Sequence, residues 1–277
     1  MLRERIVTGM VLAAACLAAL FWLPALGWTT LVGCILALAA WEWASFARCR
    51  TTRARTAYTV ATVALFLGTA WLLRLTTGAA GTVALLPVYG AAIAFWVIVA
   101  PLWIWRRPGN APPALLLALG WIVLMPAVLA LVHLRNFDPL ALLLFMALVW
   151  VADIAAYFVG RRFGRFKLAP VVSPGKTWEG LAGAMAAAAV YAVVWATVYP
   201  RAAPAVLQDI PWSIGAMLLF VEALTVLSVV GDLFESAMKR QAGLKDSGAL
   251  LPGHGGILDR IDALTPVLPA AALAILI

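Results

Sequence analysis

Charged residues are scarce in this sequence, and their scarcity excludes an ordinary soluble domain. Only 12% of the 277 residues are Asp, Glu, Lys or Arg, whereas 65% are apolar, and the mean hydropathy is +1.01. Soluble domains are typically about one quarter charged and about half apolar. Because one core cannot hide such an apolar surplus, we predict that lipid surrounds most of the chain.

Cysteine and histidine are too few for a disulfide framework or a zinc site. The three cysteines, Cys16, Cys34 and Cys49, form no C-x-x-C pair. Only one of the two histidines, His254, lies in a polar segment. The formal charge of +8 does not indicate nucleic-acid binding by itself, because basic residues also orient membrane proteins. We expect no nucleic-acid partner.

Long apolar runs fill most of the sequence. A membrane-spanning helix needs about 20 mostly apolar residues. The first run is longer than a typical signal-peptide core and similar runs follow it, so we expect it to remain as a span. Nine runs qualify: 6–24, 28–46, 57–74, 82–105, 113–132, 139–159, 180–199, 212–231 and 262–277. The sequence therefore predicts an all-α, polytopic membrane bundle that forms a single domain over residues 1–277.

The basic residues predict how this bundle is oriented. With a cytoplasmic N-terminus, 17 of the 20 Lys and Arg residues fall on the cytoplasmic side. Only Arg74, Arg135 and Arg201 fall on the other side. Short cytoplasmic loops are enriched in cations, so this asymmetry predicts nine spans with the N-terminus inside and the C-terminus outside.

Two predicted cytoplasmic segments, 160–180 and 231–262, are more varied than topology requires. In the second, Asp232, Ser236 and Lys239 share one helical face, and Asp259 and Asp262 share another. Carboxylates that converge at a membrane surface among cations are typical of Mg²⁺-assisted phosphate chemistry. We therefore predict Asp232, Asp259 and Asp262 as metal ligands. The competing interpretation is that the acids only cap helices.

The first segment contains Ser173-Pro-Gly-Lys-Thr-Trp-Glu-Gly180. Its Gly-Lys-Thr is not a phosphate-binding P-loop, because Pro170 stands where that motif requires glycine. Lys176, Ser173 and backbone N–H groups on a tight turn before a helix can still contact phosphate. The competing interpretation is an interfacial loop anchored by Trp178.

Three acidic residues inside the predicted spans leave alternatives open. Asp153 is either a member of the site or a buried hydrogen-bonding partner. Glu42 and Glu222 are predicted as structural partners within the bundle, although intramembrane carboxylates are also candidates for function.

Residues 236–262 resemble the signature of bacterial phosphatidate cytidylyltransferases, also called CDP-diacylglycerol synthases. The resemblance lies in Ser236-Ala-Met-Lys-Arg, Lys245-Asp246 and Leu-Pro-Gly-His254-Gly-Gly-Ile-Leu-Asp259-Arg260-Ile-Asp262. The loop at 173–179, the lead-in Gly231-Asp232-Leu-Phe-Glu-Ser236 and Trp41-Glu42-Trp43 are similar to the same family.

The resemblance implies a Mg²⁺-dependent transfer of a cytidylyl group from CTP to phosphatidate, which releases pyrophosphate. It also implies a homodimer in the bacterial inner membrane, with the active site facing the cytoplasm. The expected catalytic residues are Lys176, Ser236, Lys239, Arg240, Lys245, Asp246, His254 and Arg260. The residues expected to bind the nucleotide or its cofactor are Ser173, Thr177, Gly255 and Gly256.

Three other functions compete with this one. Another CTP-using lipid enzyme could act on an isoprenoid ether lipid or a lipid alcohol. Alcohol phosphatidyltransferases carry an Asp-Gly-x-x-Ala-Arg motif, which is absent from this sequence. A transporter would place its charges near the middle of the membrane, whereas these charges cluster towards one face.

Overall fold

The structure, a computed structural model, describes residues 13–75, 81–109, 111–202, 213–248 and 255–277. These residues form an α-helical bundle with one small hairpin. The α-helices are α1 (Ala13–Trp22), α2 (Ala25–Phe46), α3 (Thr52–Leu72), α4 (Leu86–Ala94), α5 (Ala100–Arg106), α6 (Pro113–Phe137), α7 (Pro139–Phe163), α8 (Trp178–Ala202), α9 (Ile214–Gln241), α10 (Leu258–Ile261) and α11 (Leu264–Leu276). The hairpin pairs β1 (Lys167–Ala169) with β2 (Ser173–Thr177) in antiparallel register. The all-α class predicted from composition is confirmed.

Among the described residues, six helices are long and apolar enough to cross a membrane. They are Ala25–Phe46, Val83–Arg106, Pro113–Phe137, Pro139–Phe163, Trp178–Thr197 and Ile214–Gln241. α1 is described only from Ala13, α3 is not among the six, and α11 has 13 residues. The polytopic character is therefore clear, and each of the nine predicted runs coincides with a described helix at least in part.

The fourth span is one rod with an irregular middle. A π-helical turn, Phe95–Val99, joins α4 to α5. Pro101 follows this turn and has no N–H to donate to the carbonyl four residues earlier. A π-turn accommodates such a gap in the hydrogen-bond ladder without ending the helix.

The loops meet in two groups, at opposite ends of the bundle. At one end Arg48 donates hydrogen bonds to the carbonyls of Gly109 (2.9 Å) and Gln241 (3.0 Å). At the other end Arg135 donates to the carbonyls of Leu20 and Leu23. The first group comes entirely from segments predicted to be cytoplasmic, and the second lies at the predicted outer side.

The hairpin, which the sequence analysis treated as a loop, lies between α7 and α8. These two helices pack so closely that a Cβ on Gly180 would be 2.9 Å from the carbonyl oxygen of Ala156. The N–H of Trp178 donates to the carbonyl of Phe166, and the N–H of Phe166 donates to the Glu179 carboxylate (3.2 Å). These contacts tie the hairpin to the start of α8 and hold Lys176, on β2, beside the bundle.

Large apolar side chains cover much of the outer surface. Trp22 is 83% exposed, Trp71 81% and Leu219 75%. Such exposure would be costly in water, at about 25 cal/mol per Å² of apolar area, but it is favourable against lipid chains. The packed interior holds smaller clusters, such as Phe234 among the rings of Phe95 and Trp96.

Candidate active site

α9 carries a row of polar side chains at one end of the bundle. The predicted membrane span ends at residue 231, and the helix continues unbroken beyond it to Gln241. Asp232, Ser236 and Lys239 therefore lie on a regular helix, as their spacing predicts. At about 1.5 Å of rise per residue, Asp232 and Lys239 are about 10 Å apart along its axis.

Lys176 and Asp232 form the first ion pair of the site, which we call the cavity pair. The Nζ of Lys176 lies 2.7 Å from Oδ2 of Asp232, and the two side chains are 23% and 31% exposed. The Ser236 hydroxyl donates to the other oxygen of Asp232, Oδ1 (3.3 Å). The hairpin and α9 thus bring together a cation and a carboxylate from the two polar segments identified in the sequence.

Lys239 is the centre of a second, more buried group. Its Nζ lies 2.6 Å from Oδ1 of Asp259 and 2.5 Å from Oε2 of Glu235. The other oxygen of Glu235, Oε1, is buried and has no hydrogen-bond donor among the described residues. Lys239 is therefore shared by two carboxylates, and Glu235 keeps one oxygen that can accept a further ligand.

Asp259 is held by donors on all sides. Its Oδ2 accepts from the N–H of Ser247, the hydroxyl of Ser247 and the N–H of Gly256, each at 2.9 Å. Burial alone would raise the pKa of Asp259, but the hydrogen bonds from Lys239, Gly256 and Ser247 outweigh it. They hold its pKa below the ordinary value of 3.8, so Asp259 is a stable anion at neutral pH.

Glu42 joins this group from α2, which the sequence analysis treated as part of the bundle interior. Its Oε2 accepts from the Ser247 hydroxyl (2.9 Å) and from the N–H of Leu258 (2.9 Å). Its Oε1 accepts from the N–H of Ile257 (3.0 Å). We call Glu42, Lys239, Ser247, Gly256 and Asp259 the loop cluster.

The cavity pair opens onto a cavity of about 660 Å³ between α7, the hairpin, α8 and α9. One part of its lining is apolar and includes Ala152, Leu181 and Val229. Its polar lining consists of Asp153, Tyr157, Arg161, Lys167, Ser173, Lys176, Thr177 and Asp232. A cavity with a cationic part and an apolar part suits an amphiphile with an anionic headgroup.

This lining places several residues that the sequence left undecided. Asp153 is exposed and lines the cavity, which favours the site over a buried hydrogen-bonding role. Arg161, at the end of α7, receives no role in the sequence analysis except in topology; its Nη1 donates to the Tyr157 hydroxyl (2.7 Å). Arg161 lies inside the segment 160–180 and Asp153 lies about two helical turns before it, and this proximity is the signal that could have found them.

Other predicted residues serve the local structure around the site. The Thr177 hydroxyl accepts from the N–H of Gly180 (3.1 Å) and so caps α8. Arg240 is exposed and donates to the carbonyls of Val172 (3.4 Å) and Leu244 (3.2 Å). Lys245, Asp246 and Arg260 are exposed near the loop cluster. His254 lies outside the described residues.

Asp262 lies between α10 and α11, where its Oδ1 accepts from the N–H of Ala263 (2.8 Å). A Cβ on Gly231, the neighbour of Asp232, would lie 2.6 Å from the Asp262 carbonyl oxygen, so Asp262 packs against α9 where the row of polar side chains begins. The three predicted metal ligands thus lie in one region. Among the described residues, however, no three His, Cys, Asp or Glu side chains are arranged as a metal site. Asp232 and Asp259 face lysines instead.

Comparison with known proteins identifies the family to which the chain belongs. A profile described as the cytidylyltransferase family matches residues 3–277. The chain belongs to this family. Several phosphatidate cytidylyltransferases are similar to it over nearly the full length. The chain is 41% identical to a phosphatidate cytidylyltransferase of Pseudomonas aeruginosa, over 98% of this chain and 96% of that protein.

Two further relatives match the chain to a similar extent. A phosphatidate cytidylyltransferase of Haemophilus influenzae is 38% identical, over 97% of this chain and 96% of its own length. One from Brucella suis is 37% identical, over 98% and 91%. The resemblance inferred from residues 236–262 therefore extends over the whole chain.

Proposed function

We propose that this cytidylyltransferase transfers a cytidylyl group from CTP to phosphatidate and releases pyrophosphate. The observation that carries the proposal is the cavity pair, which places Lys176 at a cavity with both cationic and apolar walls. The names of its full-length relatives supply the substrate pair. A site at one end of a membrane bundle would meet CTP from water and phosphatidate from the leaflet.

The reaction joins two phosphates. An oxygen of the lipid phosphate attacks the α-phosphorus of CTP, and the bond from that phosphorus to the oxygen bridging to the β-phosphate breaks. The nucleophile is already an anion at neutral pH, so the reaction needs no strong general base. The main obstacle is repulsion between two polyanions, which fixed cations around the reacting phosphates reduce.

We assign this task first to Lys176, Lys239 and the nearby arginines. In the structure Lys176 and Lys239 are paired with carboxylates, which hold their ammonium groups in position. A phosphate that reaches either lysine replaces one anionic partner with another. Ser173 lines the cavity beside Lys176, and Ser236 orients Asp232. Lys245, Asp246, His254, Arg260 and Gly255 are proposed to complete the nucleotide site.

The carboxylates fit a Mg²⁺ ion in their chemistry. Mg²⁺ prefers oxygen ligands, and Asp232, Asp259 and Asp262 supply them. The buried, unsatisfied Oε1 of Glu235 is a further oxygen in the same region. When bound, the ion would neutralise charge on the phosphates. Because Lys176 and Lys239 now face Asp232 and Asp259, these lysines must release part of that contact if the aspartates become ligands.

We also propose nine spans, a cytoplasmic N-terminus, an outer C-terminus and a cytoplasmic active site in a bacterial inner membrane. The basic asymmetry of the sequence supports this orientation, and so does the grouping of Arg48, Gly109 and Gln241 at the active-site end. The homodimer implied by the family resemblance stays a prediction that cross-linking in membranes would test.

The proposal is tested with purified protein in detergent micelles that contain phosphatidate. We expect CTP- and phosphatidate-dependent release of pyrophosphate, with equimolar CDP-diacylglycerol detected by mass spectrometry. Chelation by EDTA should stop turnover, and added Mg²⁺ should restore it.

Competing acceptors decide which lipid is the substrate. An isoprenoid ether lipid phosphate and a lipid alcohol would be offered at the same mole fraction as phosphatidate. Faster transfer to either one would contradict the assignment of phosphatidate. Full turnover after EDTA treatment would contradict only the role of Mg²⁺ and would leave the assignment of the two substrates intact.

A further inference from the structure

Glu42 is a buried carboxylate in an otherwise apolar helix. Only 6% of its surface is exposed, and it lies between Trp41 and Trp43 on α2. Removing a charged carboxylate from water costs several kcal/mol, unless hydrogen-bond donors of the protein replace the water. The identity of those donors therefore indicates what Glu42 does.

Among the described residues, all donors to Glu42 lie in the polar segment 231–262, which carries Asp259. They are the Ser247 hydroxyl, the N–H of Ile257 and the N–H of Leu258, between 2.9 and 3.0 Å away. Ile257 is the N-cap residue of α10, and its apolar side chain accepts no hydrogen bond. Glu42 accepts from the N–H groups of Ile257 and Leu258 instead, although it lies more than 200 positions earlier in the chain.

The backbone at Gly248 and Gly256 lies so close to this carboxylate that neither position has room for a side chain. A Cβ on Gly248 or on Gly256 would lie 2.5 Å from an oxygen of Glu42. The backbone therefore wraps closely around the carboxylate on two sides. An acid without a positioning role would not require the backbone of another segment to pack so closely around it.

Ser247 links Glu42 directly to Asp259. Its hydroxyl oxygen lies 2.9 Å from Oε2 of Glu42 and 2.9 Å from Oδ2 of Asp259. Since the hydroxyl has one proton, it donates to one carboxylate at a time, while the N–H of Ser247 donates to Asp259. Movement of Glu42 would therefore move both the start of α10 and the donors that orient Asp259.

We propose that Glu42 is a positioning residue for the reaction: it holds Ser247 and the start of α10, at Ile257 and Leu258, in the conformation that orients Asp259 and Lys239. Glu42 does not line the cavity and acts through the loop cluster. This inference depends on the proposed function only for the part that Asp259 plays in turnover. The placement of the segment by Glu42 is independent of any activity.

The test compares Glu42→Gln with Glu222→Gln. Glu222 lies on α9, where its Oε2 has no hydrogen-bond donor among the described residues, so the same substitution there is a matched control. Glutamine keeps the volume of Glu42 but directs an NH₂ group at a backbone N–H. We expect faster hydrogen–deuterium exchange in peptides that cover 255–262 of Glu42→Gln, with unchanged exchange in α6 and α7.

Kinetics provide the second readout. Outer partners that orient catalytic or metal-binding groups typically contribute about 10- to 100-fold in activity or metal affinity. We expect Glu42→Gln to lower kcat by about that factor and to raise the Mg²⁺ concentration needed for half-maximal rate, with little change in KM for phosphatidate. Glu222→Gln should match the wild-type protein in exchange and in kcat.

Ser247→Ala is a milder variant for the case that Glu42→Gln folds poorly. It removes the hydroxyl between the two carboxylates and keeps the backbone N–H that donates to Asp259. We expect a smaller change in the same direction in both readouts. Unchanged exchange over 255–262 in Glu42→Gln, or an equal increase in Glu222→Gln, would overturn the proposal. Because exchange needs no turnover, a failure of the proposed reaction would leave this test decisive.

Discussion

Replacement of Lys176 by alanine separates a catalytic role from a structural one. The Lys176 ammonium lies 2.7 Å from Asp232, but the side chains of this pair are 23% and 31% exposed. Ion pairs with that degree of exposure typically contribute about 0–1 kcal/mol to stability. Loss of one charge contact to the transition state costs about 2–4 kcal/mol, or about 10²- to 10³-fold in rate.

These two magnitudes predict that one variant loses much of its turnover but little of its stability. Lys176→Ala should lose about 10²- to 10³-fold in kcat, while its unfolding temperature in detergent falls by only a few degrees at most. Arg53→Ala is the control, because Arg53 is an exposed cation in the first turn of α3. Its turnover should remain within about twofold of the wild-type value, as expected for a residue that serves topology.

The assay is initial-rate pyrophosphate release at saturating CTP and phosphatidate, normalised to folded protein. Equal, small losses in the two variants would refute the reasoning and leave β2 as an interfacial anchor. A normal rate per folded molecule in Lys176→Ala, together with a lower yield of folded protein, would also refute it. It would show that the cavity pair contributes to stability rather than to the reaction.

Further predictions concern the carboxylates and the topology. Asp232→Asn and Asp259→Asn should abolish most turnover and weaken apparent Mg²⁺ affinity, at nearly normal yield; normal specific activity at saturating Mg²⁺ and CTP would exclude them as metal ligands. Because the folded-state pKa of Asp259 is lowered, its contribution to stability should be fully present above the ordinary value of 3.8 and be lost as pH falls through the lower folded-state value. Unfolding temperatures measured between about pH 3 and pH 6 should show this acid-side loss in the wild-type protein and not in Asp259→Asn. A reporter after Ile277 should lie outside the cytoplasm, and tags near residues 53, 107 and 165 should lie inside; a cytoplasmic C-terminus would exclude the nine-span topology.

Much of the fold could be predicted because lipid leaves a chain few options. An apolar run of about 20 residues in a membrane must satisfy its own backbone hydrogen bonds, and a helix does so locally. The helical spacing of Asp232, Ser236 and Lys239 was therefore readable from sequence, and α9 confirms it. The helix ends were less predictable, since α9 continues ten residues past the predicted end of its span. Polar residues there are stabilised by tertiary partners, which no local pattern reveals.

The hairpin shows the same limit. Residues 173–177 contain Pro, Gly and Ser and have no alternating apolar pattern, so they suggested a loop. They form β2 because β1 pairs with them and because the start of α8 holds Phe166 and Trp178 together. Those contacts depend on the close packing of α7 against α8.

The sequence by itself determined the bundle of apolar helices, its two polar segments and the family signature, and it nominated most residues of the candidate site. Only the tertiary structure decided which charges meet. Lys176 faces Asp232, Lys239 faces Asp259, and Glu42 reaches the start of α10 from α2. Local spacing fixes which side chains share a helical face over a few turns, whereas the contacts between faces depend on how distant helices pack.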